Sequence, residues 1–113
     1  MSDLRKFPRV VITRPLRIKT SGGTVVQARM ANISQGGVAV IYEAPAEIGA
    51  TLELLFGLPV RGRQIDFKVR AVARYNHLSS RGYIIGFEFV GLDRHESESI
   101  REFVAIKRSM KDQ

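Results

Sequence analysis

The feature that most constrains the fold is a strict alternation of side chains over residues 65–75. A period of two predicts a β-strand that buries one face and exposes the other. The face predicted inward consists of Ile65, Phe67, Val69, Ala71, Ala73 and Tyr75, and the face predicted outward consists of Asp66, Lys68, Arg70, Val72 and Arg74. Such a strand indicates an antiparallel sheet with one face on a core and the other in water.

Shorter apolar segments with the same period predict further strands around residues 16–18, 26–30, 38–42, 52–56 and 85–89. Glycine and proline punctuate the chain between them, which predicts loops over residues 43–50, 57–63 and 76–82. Ile33 falls out of phase with Met30, so we predict either a bulge near Ala31 or the end of the strand there.

A helix is predicted over about residues 93–110. Asp93 and Glu96 have the spacing of a capping box, and Ile100, Phe103 and Val104 give the helix an apolar side. Six short strands followed by one terminal helix predict an all-β dominated fold. We expect a six-stranded antiparallel barrel with a C-terminal α-helix, occupying residues 14–113.

Residues 1–13 show no hydrophobic period. Pro8 restricts the backbone within this segment, and Pro15 restricts it just after the segment. We therefore predict a flexible N-terminal arm, with Val10, Val11 and Ile12 as its possible anchors. The arm contains Arg5, Lys6 and Arg9, in which the two arginines form an RxxxR pattern.

A second polar pattern lies between two predicted strands, where Asn32, Ser34, Gly36 and Gly37 follow one another closely. Asn32 and Ser34 are two residues apart, so an extended backbone directs both to the same face. Glycine permits positive φ and leaves backbone N–H groups uncovered, so we predict a polar patch where a ligand could contact the main chain. A plain tight turn also fits these residue types.

Basic residues are concentrated in two stretches of the chain. Residues 1–20 carry six Arg or Lys against Asp3 alone, and residues 61–81 carry six against Asp66 alone. Each stretch therefore has a net charge of +5, within a total of +7 for the chain. Separation of charge on this scale predicts a binding face for an anionic partner such as a nucleotide, a nucleic acid or an acidic membrane.

Together, the RxxxR pattern, the Asn32-x-Ser34-x-x-Gly37 pattern and a strand ending in Gly86-Phe87-Glu88-Phe89 resemble the PilZ domain family. That family comprises bacterial receptor modules for the second messenger cyclic di-GMP, and its fold is a small barrel with a closing helix. The resemblance covers nearly the whole chain. It implies a receptor or adaptor that needs no cofactor, binds cyclic di-GMP, changes its N-terminal arm and signals to a partner protein, of unknown identity, in motility or biofilm regulation.

The resemblance also implies roles for individual residues. Arg5 and Arg9 would bind phosphate and a guanine edge, and Asn32 and Ser34 the second guanine. Gly36 and Gly37 would let the backbone approach the ligand. The family often has Asp at the position of Asn32, and Asn lacks the charge that would hold guanine N1–H and N2–H₂. Arg74 is a candidate stacking partner, and Lys6 lies within the RxxxR pattern. The complete set of predicted ligand-binding residues is Arg5, Lys6, Arg9, Asn32, Ser34, Gly36, Gly37 and Arg74.

Two other functions fit parts of the sequence. A small basic barrel could bind single-stranded nucleic acid, although the aromatic residues Phe87 and Phe89 are in phase with Ile85 on the predicted inner face. A PilZ-like domain could instead mediate protein contacts without a ligand. Catalysis is not expected, because the chain has no cysteine and its two histidines, His77 and His95, stand apart. We also expect no metal site, no membrane span, no leader peptide and a cytoplasmic location.

Overall fold

A computed structural model describes residues 7–111, which form seven strands and one helix. These elements are β1 (Arg9–Val11), β2 (Pro15–Lys19), β3 (Val25–Ser34), β4 (Gly37–Tyr42), β5 (Thr51–Val60), β6 (Arg63–Ser79), β7 (Gly82–Val90) and α1 (Arg94–Lys111). The strands are hydrogen-bonded in the order β1-β3-β2-β5-β6-β7-β4, and a further pairing of β3 with β4 closes the sheet. The result is a six-stranded antiparallel barrel, β2 to β7, with β1 outside it.

The barrel interior is filled by the alternating apolar residues of its strands. Its largest fully buried side chains are Phe87, Leu16, Met30, Ile33, Leu54, Leu58, Ile85, Ile100 and Val40. Phe87 is fully buried and Phe89 packs partly buried against the same core, so both aromatic side chains serve the core and neither forms an exposed stacking platform.

Helix α1 covers the core with one apolar side, as predicted. Ile100, Phe103 and Val104 belong to the buried cluster. The Glu96 N–H donates to Asp93 Oδ1 at 2.7 Å, and the Asp93 N–H donates to Glu96 Oε1 at 3.1 Å. This reciprocal pair is the predicted capping box, which satisfies two donors that a helix start otherwise leaves free.

Two of the predicted loops are shorter than the sequence indicated. The loop predicted over residues 57–63 is wrong for residues 57–60, because β5 continues to Val60 and both Leu58 and Val60 are buried. The loop predicted over residues 76–82 is likewise wrong for residues 76–79. There β6 continues to Ser79, and Asn76 exchanges two hydrogen bonds with the backbone of Ala46, at 2.9 and 2.8 Å.

Bulges shift the alternation at two places. The register between β3 and β4 shifts between Met30 and Asn32, which confirms the bulge predicted near Ala31. A second shift, between Ala73 and Tyr75, was not predicted. It reverses the phase of β6, so the prediction that Tyr75 points inward is wrong: the ring lies against Gly86, on the outer face of the sheet.

The segment predicted as a mobile arm, residues 1–13, differs from the structure in its second half. Residues 9–11 form β1, which pairs with β3 in the register Arg9↔Ser34, Val10↔Ile33 and Val11↔Asn32. Val10 and Ile12 are buried, and the burial of two apolar side chains together with strand pairing is enough to fix so short a segment. Residues 1–6 lie outside the described part of the chain.

Candidate functional site

The outer face of β3, β4, β7 and β6 carries the Asn32-x-Ser34-x-x-Gly37 pattern. Arg9, the second arginine of the RxxxR pattern, lies beside it. Cross-strand pairing places Val11, Asn32, Ala39, Gly86 and Tyr75 in one row across five strands. Around this row is a small depression, which we call the candidate site. It is lined by Arg9, Asn32, Ser34, Gly37, Val38, Ala39, Tyr75, Gly86 and Phe87.

The bulge at Ala31 is what places Asn32 and Ser34 on this face. Met30 and Ile33 are both buried in the core, although strict alternation would direct them to opposite faces. The extra residue between them restores the phase, so Asn32 and Ser34 share the outer face. Arg9 lies directly across from Ser34 because β1 pairs with the end of β3.

The Ser34 side chain stabilises the turn between β3 and β4 through hydrogen bonds to its backbone. It is 3% exposed, and its Oγ accepts hydrogen bonds from the Gly36 N–H at 3.1 Å and from the Gly37 N–H at 3.2 Å. The predicted uncovered N–H groups of the two glycines are therefore not free in this structure. A Ser hydroxyl that binds the backbone two and three residues ahead is a common way to close a tight turn.

Close packing, rather than positive φ, explains why glycine occupies both turn positions. Neither Gly36 nor Gly37 has a positive φ. A Cβ on Gly37 would collide with the carbonyl oxygen of Phe87, and one on Gly36 would lie 2.9 Å from Cδ2 of Phe7. The chain that enters β1 therefore passes directly over the turn.

Small residues make the floor of the candidate site low and apolar. Gly37, Ala39 and Gly86 line it and are all buried. A Cβ on Gly86 would collide with the ring of Tyr75, so the glycine leaves room for that ring to lie flat over β7. The Tyr75 ring covers the Gly86 part of this floor, next to Ala39 of β4.

Sequence reasoning missed Tyr75 as a site residue. The alternation over residues 65–75 placed it in the core, because nothing in that pattern marks an extra residue at Arg74. The glycine at position 86 was the available signal, since a strand glycine often marks a place where another group approaches closely.

Arg74, the predicted stacking residue, is the bulged residue of β6 and is held in an ion pair. Its Nε donates to Glu88 Oε1 at 2.6 Å, and the side chains of Arg74 and Glu88 are 52% and 35% exposed. Glu88 pairs across the strands with Gly37, so the ion pair borders the candidate site. Arg5 and Lys6 lie outside the described residues.

A larger cleft, with a volume of about 570 Å³, lies where β2 and β5 separate. It is lined by Pro15, Leu16, Arg17, Gln27, Leu55, Phe56, Gly57, Gln64, Asp66, Phe67 and Lys68 and includes none of the predicted site residues. The Arg14 side chain bridges the separated strands, with Nε donating to the Gly57 carbonyl at 2.9 Å. Pro15, which has no backbone N–H to donate, lies at this end of β2, where the pairing of β2 with β5 has stopped at Arg17.

Within residues 7–111, no group of three or more His, Cys, Asp or Glu side chains is arranged to hold a metal ion. In the same part of the chain, α1 does not have the length and apolar character needed to cross a membrane.

Comparison with known proteins identifies the family. The model of the PilZ domain family matches residues 3–105, and the chain therefore belongs to that family. A search of curated proteins found no match.

Solved PilZ-containing structures share the fold at low sequence identity. The Bacillus subtilis inhibitor of motility, MotI/DgrA, superposes with a TM-score of 0.88 at 18% identity and covers 96% of this chain and 53% of its own. YcgR from Escherichia coli in complex with c-di-GMP (cyclic di-GMP) gives 0.75 at 14% identity, covering 96% and 48%. The isolated PilZ domain of YcgR with c-di-GMP gives 0.68 at 12% identity, covering 95% and 93%. The chain thus spans about half the length of the first two proteins.

We predict that Ser34→Ala destabilises the protein by about 1–3 kcal/mol, because the buried Gly37 N–H and the partly buried Gly36 N–H lose their acceptor. Chemical denaturation measures the change. Ser80→Ala, at an exposed position in the turn between β6 and β7, is the control and should change stability by less than about 0.5 kcal/mol. Equal stability of the Ser34 variant and the wild type would contradict the role of this hydroxyl in stabilising the turn.

Proposed function

We propose that this chain is a cyclic di-GMP receptor that binds the nucleotide on the candidate site and signals through its N-terminal segment to a partner protein. The observation that carries the proposal is the pairing of β1 with β3, which sets Arg9 beside Asn32 and Ser34 on one face. Membership of the PilZ family supports it, as do two similar folds solved with c-di-GMP. The similarity of the fold to the B. subtilis inhibitor of motility supports a role in motility.

Charge and shape assign the parts of the nucleotide to parts of the site. Cyclic di-GMP carries two phosphodiester charges and two guanines. The guanidinium of Arg9, which is exposed, suits phosphate or the O6 and N7 edge of guanine, because it donates two parallel hydrogen bonds. Arg5 supplies a second guanidinium and Lys6 a further positive charge. The Asn32 amide binds a base edge or a ribose.

Tyr75 is the proposed stacking residue. Its ring lies flat over Gly86, so one face of the ring packs on the sheet and a guanine would stack on the opposite face. Ser34, Gly36 and Gly37 shape the turn beside it. The proposed role of Ser34 is therefore to hold the backbone, with the hydroxyl available to a ligand only if the turn opens.

The nucleotide itself is tested by calorimetry with cyclic di-GMP, cyclic di-AMP and a single-stranded oligonucleotide. We expect binding of cyclic di-GMP with little response to the other two. Binding of the oligonucleotide with a steep loss at higher salt would instead identify a nucleic-acid-binding barrel. The absence of any binding would leave a PilZ domain that acts through protein contacts alone.

The arginines of the RxxxR pattern should each be necessary for tight binding. Arg5→Ala or Arg9→Ala is expected to weaken cyclic di-GMP binding roughly 10- to 150-fold, since each removes a charge-assisted bond worth about 1.5–3 kcal/mol. Arg17→Ala is the matched control, because Arg17 is an exposed arginine on β2, outside the candidate site. Titrations of the Arg5 and Arg9 variants that match the wild type would contradict the assignment.

Tyr75→Ala should weaken cyclic di-GMP binding roughly 5- to 150-fold, because base stacking on an aromatic ring is worth about 1–3 kcal/mol. Tyr75→Phe keeps the ring and should bind like the wild type, so the pair of variants separates stacking from hydrogen bonding by the hydroxyl. If both variants bind like the wild type, guanine does not stack at this position.

Signalling is proposed to run through residues 1–8, which precede β1. Phe7 lies over the turn at Gly36, so a ligand bound at the candidate site would contact this segment and fix its path. We expect backbone NMR relaxation of residues 1–8 to change on saturation with cyclic di-GMP, while residues 9–11, already paired in β1, change little. A relaxation profile of residues 1–8 that is identical with and without ligand would rule out this switch.

A further inference from the structure

Glu88 is a carboxylate at the border of a site that we propose for a doubly anionic ligand. It lies on the outer face of β7, between Gly37 of β4 and Val72 of β6. Its neighbours on the same strand, Phe87 and Phe89, point to the core. The Glu88 side chain therefore extends from the same outer face as Asn32 and Tyr75 and is 35% exposed.

The Arg74–Glu88 pair has little value for stability. Ion pairs between exposed side chains contribute little to folding, because water screens them and two long side chains lose freedom. The pair does change the electrostatics of the site. A lone carboxylate would repel the phosphates of a nucleotide, whereas one neutralised by Arg74 at 2.6 Å does not.

A carboxylate beside a purine site distinguishes guanine from adenine. Guanine presents two adjacent donors on its Watson–Crick edge, N1–H and the N2 amino group, whereas adenine presents an acceptor at N1. An ionised carboxylate only accepts hydrogen bonds and has two oxygens with about four lone-pair positions. With Arg74 bound to Oε1, Glu88 retains Oε2 and a second lone pair of Oε1 for the two guanine donors.

We propose that Glu88 selects guanine in the bound nucleotide by accepting hydrogen bonds from N1–H and the N2 amino group, while Arg74 orients and neutralises its carboxylate. This inference rests on the proposed function. It assigns to Glu88 the charge that the Asn32 amide lacks, and it makes Arg74 a positioning residue rather than a stacking partner.

The experiment compares cyclic di-GMP with cyclic di-IMP, which keeps O6, N7 and N1–H but lacks the N2 amino group. We expect the wild type to prefer cyclic di-GMP by about 10-fold or more, the effect of one hydrogen bond to a charged group. Glu88→Ala should reduce that preference to less than about 2-fold. The ratio of the two dissociation constants is the readout, because removing Glu88 also frees Arg74 to bind phosphate and changes both affinities.

Two further variants complete the test. Glu53→Ala removes another outer-face carboxylate, one that lies 4.0 Å from a lysine on β6, and should leave the ratio unchanged. Arg74→Gln should weaken the binding of both nucleotides but keep the preference for guanine. If Glu88→Ala keeps the preference for cyclic di-GMP, the proposal is overturned.

The wild type alone also decides the question if Glu88→Ala does not fold. Equal affinity of the wild type for cyclic di-GMP and cyclic di-IMP would overturn the role of Glu88 and leave the receptor function intact. Binding of neither nucleotide would instead refute the receptor function itself.

Discussion

The candidate site depends on two one-residue bulges in a closed barrel. Closure requires every strand to keep its apolar side chains on the inner face, so a strand cannot change its exposed set without an extra residue. At Ala31 the extra residue keeps Met30 and Ile33 in the core and places Asn32 and Ser34 outside. At Arg74 it brings Tyr75 out over β7. Bulges are common beside binding sites for this reason, since they redirect a side chain without opening the sheet.

The residues that the two bulges turn outward lie on either side of a row of small residues, and the close packing there requires those residues to be small. Gly86 pairs with Ala39 on one side and with Tyr75 on the other, and Gly37 fits against the backbone of Phe87. Larger residues at either glycine would separate β4 from β7 or lift the tyrosine ring. The same close packing that completes the barrel therefore shapes the surface on which a base could lie.

The sequence was sufficient for much of this fold and for less of the site. Period-two alternation gave the strands correctly wherever it ran unbroken, and the Met30-to-Ile33 phase error revealed the first bulge. The second bulge caused no visible break in the alternation, because Val72 and Tyr75 can lie on either face of a strand. The predicted inner face was therefore continued past Ala73 to Tyr75, which is wrong. The strand ends at Val60 and Ser79 were missed because Pro59, Gly62 and Asn76 are typical of turns, while the pairing that overrides them is long-range.

The N-terminal strand was missed for a related reason. Three residues are too few to show a period, and the buried side chains of Val10 within the strand and Ile12 just after it gain their stability only from contact with the barrel. The role of Ser34 was also beyond the sequence, since the same residue in the same pattern could face a ligand or close its own turn. Only the positions of the Gly36 and Gly37 amides distinguish these arrangements.

The two arginines of the RxxxR pattern differ in their relation to the barrel. Arg9 belongs to β1, which pairs with β3, whereas Arg5 precedes that strand. Fixing a backbone costs about 1–2 kcal/mol per residue, and for Arg9 that cost is already met by strand pairing in the free protein. Arg9 can therefore contribute most of its interaction energy to ligand affinity. Four extended residues span at most about 14 Å, so Arg5 lies within that distance of Arg9. In the proposed receptor, Arg9 held in β1 and Arg5 joined to it through three residues would bind the nucleotide together, so occupancy of the site would fix the path of the N-terminal segment.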